Sequence, residues 1–475
     1  MNNISKLIIS KIDTLKDALI KIKKNGEGVC FVCEDKKLIG ILTQGDIRNL
    51  ILKKIPLENK VLKYINKKYY SLPATIESSK AFKNLKSGRR IIPLLDKNKK
   101  LVDYVSFSKL KNIPLVKPDL NGNELTYLTQ CIQSTYISSL GNFINSFEKQ
   151  FKDYFKVNSA LSVSSCTTGL QLVLQSLKLK KNDEVIVPNV TFVSPINAII
   201  HAGGTPILCD INSKNLTLDC SDLEKKITKK TKAIICVHTY GHPCNMRDIS
   251  NLIKNRNIFL IEDCAEAIGT KFKNKNIGTF GDSAVFSFYG NKTITTGEGG
   301  MILFKNRKDF EKCKILRNHG MNIKKKYWHD QVGFNFRMTN LQAAVGVAQF
   351  ERIEIFIKKK IEIAREYKKN LKEFKNIILP FEEKWATHSY WLFNILIKDT
   401  KKNKRDRIIK QLNNQGIEAR PMFYPASNMK IYKKYANNKQ NYSQLSYSGI
   451  SLPSFVGLEN SQIKMVSDLI KKLIK

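Results

Sequence analysis

The feature that most constrains this chain is a series of short, almost wholly apolar segments, DEVIVP, TPILCD, KAIICVH and IFLIED, separated from one another by amphipathic helical patterns. Strands that alternate with helices and have no polar face of their own read as a mostly parallel sheet covered on both sides. Such sheets collect ligands outside the carboxyl ends of their strands. Candidate functional residues are therefore those that follow each apolar run. At 475 residues the chain exceeds a single hydrophobic core, so two or three domains are expected.

The stretch before about residue 112 is built differently. In GVCFVCEDKKLIGILTQGDIRNLIL a strand from Gly28 to Cys33 turns at residues 34–37, a second strand runs from Leu38 to Leu42, and a helix opens near Asp46. RRIIPLLDKNKKLVDYVSFSKLK repeats the logic, with a turn at Asp96-Lys97-Asn98 and a helix start near Ser106. A repeat of this size predicts two copies packed on each other. On these residues the segment resembles a tandem CBS-domain pair, a small α/β module that senses adenine nucleotides in many proteins. Thr43 and Asp46 match the positions where such modules hold a ribose. The second copy departs from that pattern, with Asp103 in place of a glycine and Lys109 in place of the aspartate. A structural or dimerising appendage is the competing reading. Pro114 and Pro118 bound a hinge after this module, giving expected domains of 1–112 and 113–475. The second is divided into a large cofactor domain to about residue 350 and a smaller one over about 351–475.

Composition excludes several function classes. Lys and Arg total 81 and the formal net charge is +40, but the charge lies mainly on lysines scattered in KK and KKK clusters. Nucleic-acid readers concentrate Arg and Lys on one face among aromatics. That pattern is missing, so a solvated lysine surface is expected, with a field that attracts anionic small molecules. No apolar run is long enough for a membrane span, and the first thirty residues lack the uninterrupted apolar core of a secretory signal. The 10 cysteines, Cys209, Cys236 and Cys264 among them, read as reduced thiols of a cytoplasmic protein. Cys30 and Cys33 form a C-x-x-C inside a strand pattern with no second ligand pair, so no metal site is expected.

Four segments carry candidate chemistry. In SFYGNKTITTGEGGMILF an apolar strand (Ala284 to Phe288) delivers Lys292 into a loop of small and hydroxylated residues, ahead of a Gly297–Gly300 turn. A buried lysine must be neutralised or bonded, and covalent attachment to an aldehyde cofactor does both. A surface lysine is the plain alternative. IFLIEDCAEAIG ends a strand in Glu262-Asp263, where a carboxylate can keep a pyridinium nitrogen protonated, and Glu266 follows one turn later. SVSSCTTGLQLVLQSL opens a helix with hydroxylated residues, either phosphate ligands or ordinary caps at Thr167 and Thr168. NVTFVSPINAI offers Phe192, a cofactor-stacking ring or a core residue.

These segments, in this order and together with TYISSLGNFINSFEKQF, YGHPCNM, VGFNFRMTNLQAA and GIEARPMFYP, resemble the DegT/DnrJ-type nucleotide-sugar aminotransferases over residues 114–475. The resemblance implies an α/β aspartate-aminotransferase-type domain (pyridoxal-phosphate fold type I) with pyridoxal 5'-phosphate (PLP) as cofactor. It assigns Lys292 as the Schiff-base lysine, nucleophile and general acid/base, and Asp263 as partner of the ring nitrogen. Glu266 falls at the ring oxygen, Phe192 at the stacking position, and Thr167, Thr168 and Ser287 at the phosphate. Asn335 falls where the family reaches the neighbouring subunit's phosphate, which implies a homodimer with shared sites. Cys166 departs from the family, which often has glycine before the threonine pair. The implied reaction moves an amino group from L-glutamate to a nucleotide-linked 4-keto-6-deoxy sugar, GDP-4-keto-6-deoxy-mannose first, for surface polysaccharide. The alternatives are a UDP-linked 4-keto-6-deoxy-N-acetylhexosamine as acceptor, or a nucleotide-sensing regulator with an inactive enzyme domain. Sugar 3-dehydratases of the family replace the Schiff-base lysine with histidine, and Lys292 argues against that chemistry.

Overall fold

The computed structural model describes residues 3–76, 84–85, 90–106, 113–400, 402–436 and 442–474. The chain divides into two compact units, Met1–Ile113 and Pro114–Lys475.

The first unit contains two three-stranded sheets of one design. In the first, Ile8–Ser10 pairs parallel with Val29–Glu34, which pairs antiparallel with Lys37–Thr43. In the second, Leu72–Pro73, Ile91–Leu95 and Leu101–Ser106 repeat that order and those directions. The copies share a core in which Phe31 and Leu38 pack with Leu101 and Tyr104. Helix Gln44–Leu52 starts where expected. Its Thr43 side chain accepts from Asp46 N at 3.1 Å, and Asp46 Oδ2 accepts from both Thr43 N and Thr43 Oγ1, a closed capping box. Lys109 and the helix expected after Ser106 fall outside the described residues. Cys30 and Cys33 are buried in the strand, and burial pushes their thiols up to about 12 and about 11. They are packed thiols. All 10 cysteines are free.

The second unit is organised by a seven-stranded sheet. Its order is Ser159–Val163, Gly300–Phe304, Ser283–Ser287, Phe259–Asp263, Thr231–Val237, Glu184–Pro188 and Thr205–Cys209. Gly300–Phe304 is antiparallel to both neighbours and every other pairing is parallel. Both faces are covered because the strands are apolar on both. Along Thr231–Val237, Ile234 and Cys236 enter one core while Ala233, Ile235 and Val237 enter the other. Helix Cys166–Ser176 lies close against the sheet through Gly169, where a Cβ would meet Val285 Cγ1 at 2.7 Å. In the C-terminal third a four-stranded antiparallel sheet, Ile377–Ile378, Phe393–Ile397, Gly449–Leu452 and Arg420–Pro421, is accompanied by helices Ile353–Leu371, Lys402–Asn414 and Asn460–Ile474. Among the described residues no helix is long and apolar enough to cross a membrane.

Candidate active site

Strand Phe259–Asp263 runs parallel between Thr231–Val237 and Ser283–Ser287, so its carboxyl end opens at the middle of the sheet. Successive side chains of a strand face opposite ways, and that separates Glu262 from Asp263. Glu262 turns away from the opening, where it accepts from Gly278 N, Phe280 N and Gly281 N, each at 2.7 Å, and lies 3.1 Å from His238 Nε2. Cys244 N donates to the other ring nitrogen of His238, so the imidazole carries its proton on Nε2 and donates it to Glu262. The buried His238 and Glu262 thus belong to one hydrogen-bond network at the strand end, with Cys264 buried beside them.

Asp263 faces a cavity of about 490 Å³. It accepts from Ala265 N at 3.0 Å, and Cys166 Sγ lies 4.0 Å from the same oxygen. Burial pushes its carboxyl above the usual range, with the Lys292 ammonium opposing the shift. The lysine follows strand Ser283–Ser287 in a turn where its N–H donates to Tyr289 O at 2.9 Å. Its Nζ stands 3.7 Å from Glu266 Oε1 and 3.9 Å from the centroid of the Trp391 ring. Glu266 Oε2 accepts from Tyr240 N at 2.7 Å. Burial lifts the Glu266 carboxyl to about 7, while Lys292 and the Tyr240 N–H pull it down.

The opposite wall is the start of helix Cys166–Ser176. Ser165 is the N-cap, its side chain accepting from Thr168 N at 3.1 Å, while Thr168 Oγ1 accepts from Ser165 N at 3.1 Å. The cap expected at the threonine pair is therefore at Ser165, two residues before Thr167, and Thr168 closes the box from the third helical position. Thr167 is left on the cavity side, accepting a hydrogen bond from Ser194 Oγ at 2.6 Å. No acidic residue occupies the first turn, so its unpaired N–H groups keep their partial positive charge. The glycine-rich turn closes against this point: a Cβ on Gly300 would meet Ser165 C at 2.7 Å and Cys166 N at 2.8 Å.

Of the residues expected from sequence, Lys292, Asp263, Glu266, Thr167, Phe192 and Ser287 line one cavity. Phe192 is 56% exposed, its ring 6.1 Å from that of Phe423, so it borders the opening and is no core residue. The Thr168 hydroxyl is turned into the cap. Asn335 lies exposed away from this cavity, its Oδ1 accepting from Arg337 Nε at 3.0 Å.

Sequence reasoning missed the floor and the mouth. Trp391 donates its indole N–H to Asn291 O at 2.8 Å, and its own carbonyl accepts from the buried Lys360 Nζ at 2.6 Å. Tyr240, held at φ 57°, stacks between Trp391 and Phe423 at 6.2 and 5.2 Å. Arg420 reaches the mouth, paired with Glu418 at 2.6 Å. The words YGHPCNM and GIEARPMFYP contain Tyr240 and Arg420, but no local pattern ties either to Lys292.

The cavity suits a planar, anionic, aldehyde-bearing cofactor. It has a lysine, a buried carboxylate, a helix N-terminus for a phosphate, and Asn291 Oδ1 buried without a partner in its wall. With the mostly parallel sheet, these define a PLP-dependent aminotransferase. More narrowly, the chain belongs to the DegT/DnrJ/EryC1/StrS aminotransferase family, whose model matches residues 118–471. A CBS domain matches residues 5–53. The chain is 44% identical to GDP-perosamine synthase of Escherichia coli O157:H7 over 76% of its own length and 99% of that protein's. Its fold is shared with Helicobacter pylori PseC, an aminotransferase of pseudaminic acid biosynthesis, at a TM-score of 0.73 and 24% identity over 76% of this chain and 99% of that one. It is also similar to the E. coli GDP-4-keto-6-deoxy-D-mannose-3-dehydratase solved with bound hydrated PLP, at a TM-score of 0.70 and 25% identity over 77% of this chain and 99% of that one.

Proposed function

We propose that this enzyme transfers the amino group of L-glutamate to GDP-4-keto-6-deoxy-mannose, forming GDP-perosamine for a surface polysaccharide such as O-antigen. The observation that carries the reading is the convergence of Lys292, Asp263 and Glu266 on one cavity in a chain so similar to a GDP-perosamine synthase. Lys292 supports transamination over dehydration, because the resemblance drawn from the sequence implies histidine at this position in sugar 3-dehydratases.

PLP, when bound, supplies the electron sink that makes the donor's α-proton acidic. Asp263, buried and facing the cavity, would hold the ring nitrogen protonated. Glu266 would face the ring oxygen, with Tyr240 N–H fixing its orientation. Lys292 Nζ, at the cavity floor over Trp391, is placed to attach the cofactor and then to carry the proton between donor carbon and cofactor. Thr167, Ser287 and the first-turn N–H groups would take the phosphate, Thr168 acting only through the cap. Phe192 would stack on the exposed ring face.

Asn335 is proposed to complete the phosphate site of a second subunit, making the active species a homodimer. The cofactor domain is proposed to extend to about residue 350 and the smaller domain over about 351–475. For the CBS unit the candidate ligand is an adenine nucleotide. The closed Thr43–Asp46 box favours a structural unit instead, and calorimetry with AMP and ATP on the full chain decides between them.

The decisive experiment offers GDP-, UDP- and dTDP-linked 4-keto-6-deoxy sugars with glutamate and identifies products by mass spectrometry. Amination of the GDP-linked sugar is expected. Exclusive amination of a UDP-linked N-acetylhexosamine would replace the proposed substrate.

A further inference from the structure

The amino-terminal end of the large sheet, remote from Lys292, has a cavity of its own, of about 630 Å³. It opens where strand Ser283–Ser287 begins and Gly300–Phe304 ends. Lys156, Lys271, Lys273, Lys275 and Lys305 line it, and no aspartate or glutamate does. None of these lysines forms an ion pair with a described residue. Among the described residues Lys275 alone has a nearby anchor, Thr279 O at 3.3 Å and the Phe280 ring at 4.6 Å. Like charges gathered around one concavity repel each other, and a polyanion relieves that cost.

A second observation is independent of charge. Ser283 Oγ and Asn276 Oδ1 are both buried without a hydrogen-bond partner, Ser283 being 2% exposed, and both residues belong to this cavity's wall. Native proteins pair nearly all such atoms, so two in one wall point to a group that completes them. Ser283 offers an O–H to a phosphate oxygen, and Asn276 Oδ1 accepts from a ligand hydroxyl. Phe155, Val157 and Leu303 supply an apolar side. The volume is in the range of small-molecule sites, roughly 300–1,000 Å³.

We propose that this cavity is a second binding site, separate from the catalytic one, for a small molecule with a pyrophosphate or longer phosphate chain. The lysines neutralise the chain and Ser283 donates to it. The test is calorimetry on the PLP-loaded full-length enzyme, titrated with inorganic pyrophosphate and separately with GTP. GTP is expected to fill the catalytic site that takes the GDP-linked sugar and, like pyrophosphate, one further saturable site per chain. Lys273→Gln with Lys305→Gln should weaken it about tenfold, and Ser283→Ala about threefold, values that correspond to ordinary charged and neutral contacts. Removing two remote exposed lysines, Lys433→Gln with Lys434→Gln, should change nothing. At the site that the Lys273–Lys305 pair weakens, tighter binding of GTP than of pyrophosphate assigns a nucleotide ligand, and equal binding assigns the bare phosphate chain. Equal losses in the remote pair, or no effect of Ser283→Ala in a variant with unchanged melting temperature, would reduce the site to diffuse attraction by a basic surface and overturn the proposal.

Discussion

Helix Gln44–Leu52 in the CBS unit and helix Cys166–Ser176 in the aminotransferase unit begin with the same device, a reciprocal capping box, and the second faces a cofactor-sized cavity. The difference is in the residue that closes the box. In the first helix it is Asp46, whose carboxylate takes two donors and supplies the negative charge a helix N-terminus attracts. In the second it is Thr168, neutral, and the first turn holds no acid, so the pole is capped but not neutralised. A cap satisfies hydrogen bonds locally. Whether a helix start also binds an anion depends on what charge is left and what lines the space in front of it.

The largest effect expected from breaking this comparison separates the units outright. Lys292→Ala should lower kcat by about 10³-fold or more and abolish the covalent attachment of PLP read by its absorption band, the scale expected when a nucleophile and proton carrier are both lost. Next, Thr168→Asp makes the catalytic helix resemble the CBS helix. The box should survive and the melting temperature hold, but the PLP dissociation constant should rise about tenfold, the order of a charge placed at a partly buried helix terminus. If cofactor affinity is unchanged, the helix pole does not hold the phosphate.

A pH measurement sharpens the contrast from the side of the carboxylates. Glu266 in the fold holds its proton up to about 7, against an ordinary value of 4.5. The folded apoprotein therefore binds more protons than the unfolded chain between those values, and Glu266 makes stability fall as pH rises through that window. Glu266→Gln should flatten that part of the apoprotein's stability profile in urea titrations. The smallest effect belongs to the CBS helix. Asp46→Ser keeps a capping group but loses the charge, and should cost about 0.5–1 kcal/mol, with transamination unchanged. A measurable loss of kcat there would mean the units are coupled.

The alternation of apolar strands and amphipathic helices was enough to specify a covered parallel sheet, because a strand with no polar face has no stable place at a surface. The reversed direction of Gly300–Phe304 was not legible, since parallel and antiparallel central strands share one composition. The same holds at the site. Lys292, Asp263, Glu266 and Thr167 were readable because each follows a strand or opens a helix, where backbone geometry aims a side chain at the sheet's carboxyl edge. The split between Thr167 and Thr168 was not, because both are hydroxylated and only the helix phase sends one to the cavity and the other into the cap.

What the sequence by itself determined was the set of elements and the chemical types at their ends, because propensity, periodicity and capping act over a few residues. Only the tertiary structure decided which distant groups meet. Trp391 under Lys292, Tyr240 against Glu266, and five lysines around one cavity at the far end of the sheet come from separate parts of the chain. Their proximity is set by how helices and loops pack on the sheet, and burial then shifts the charges it brings together. That is why Glu266 reads as an ordinary acid in the sequence and as a proton holder near neutral pH in the fold.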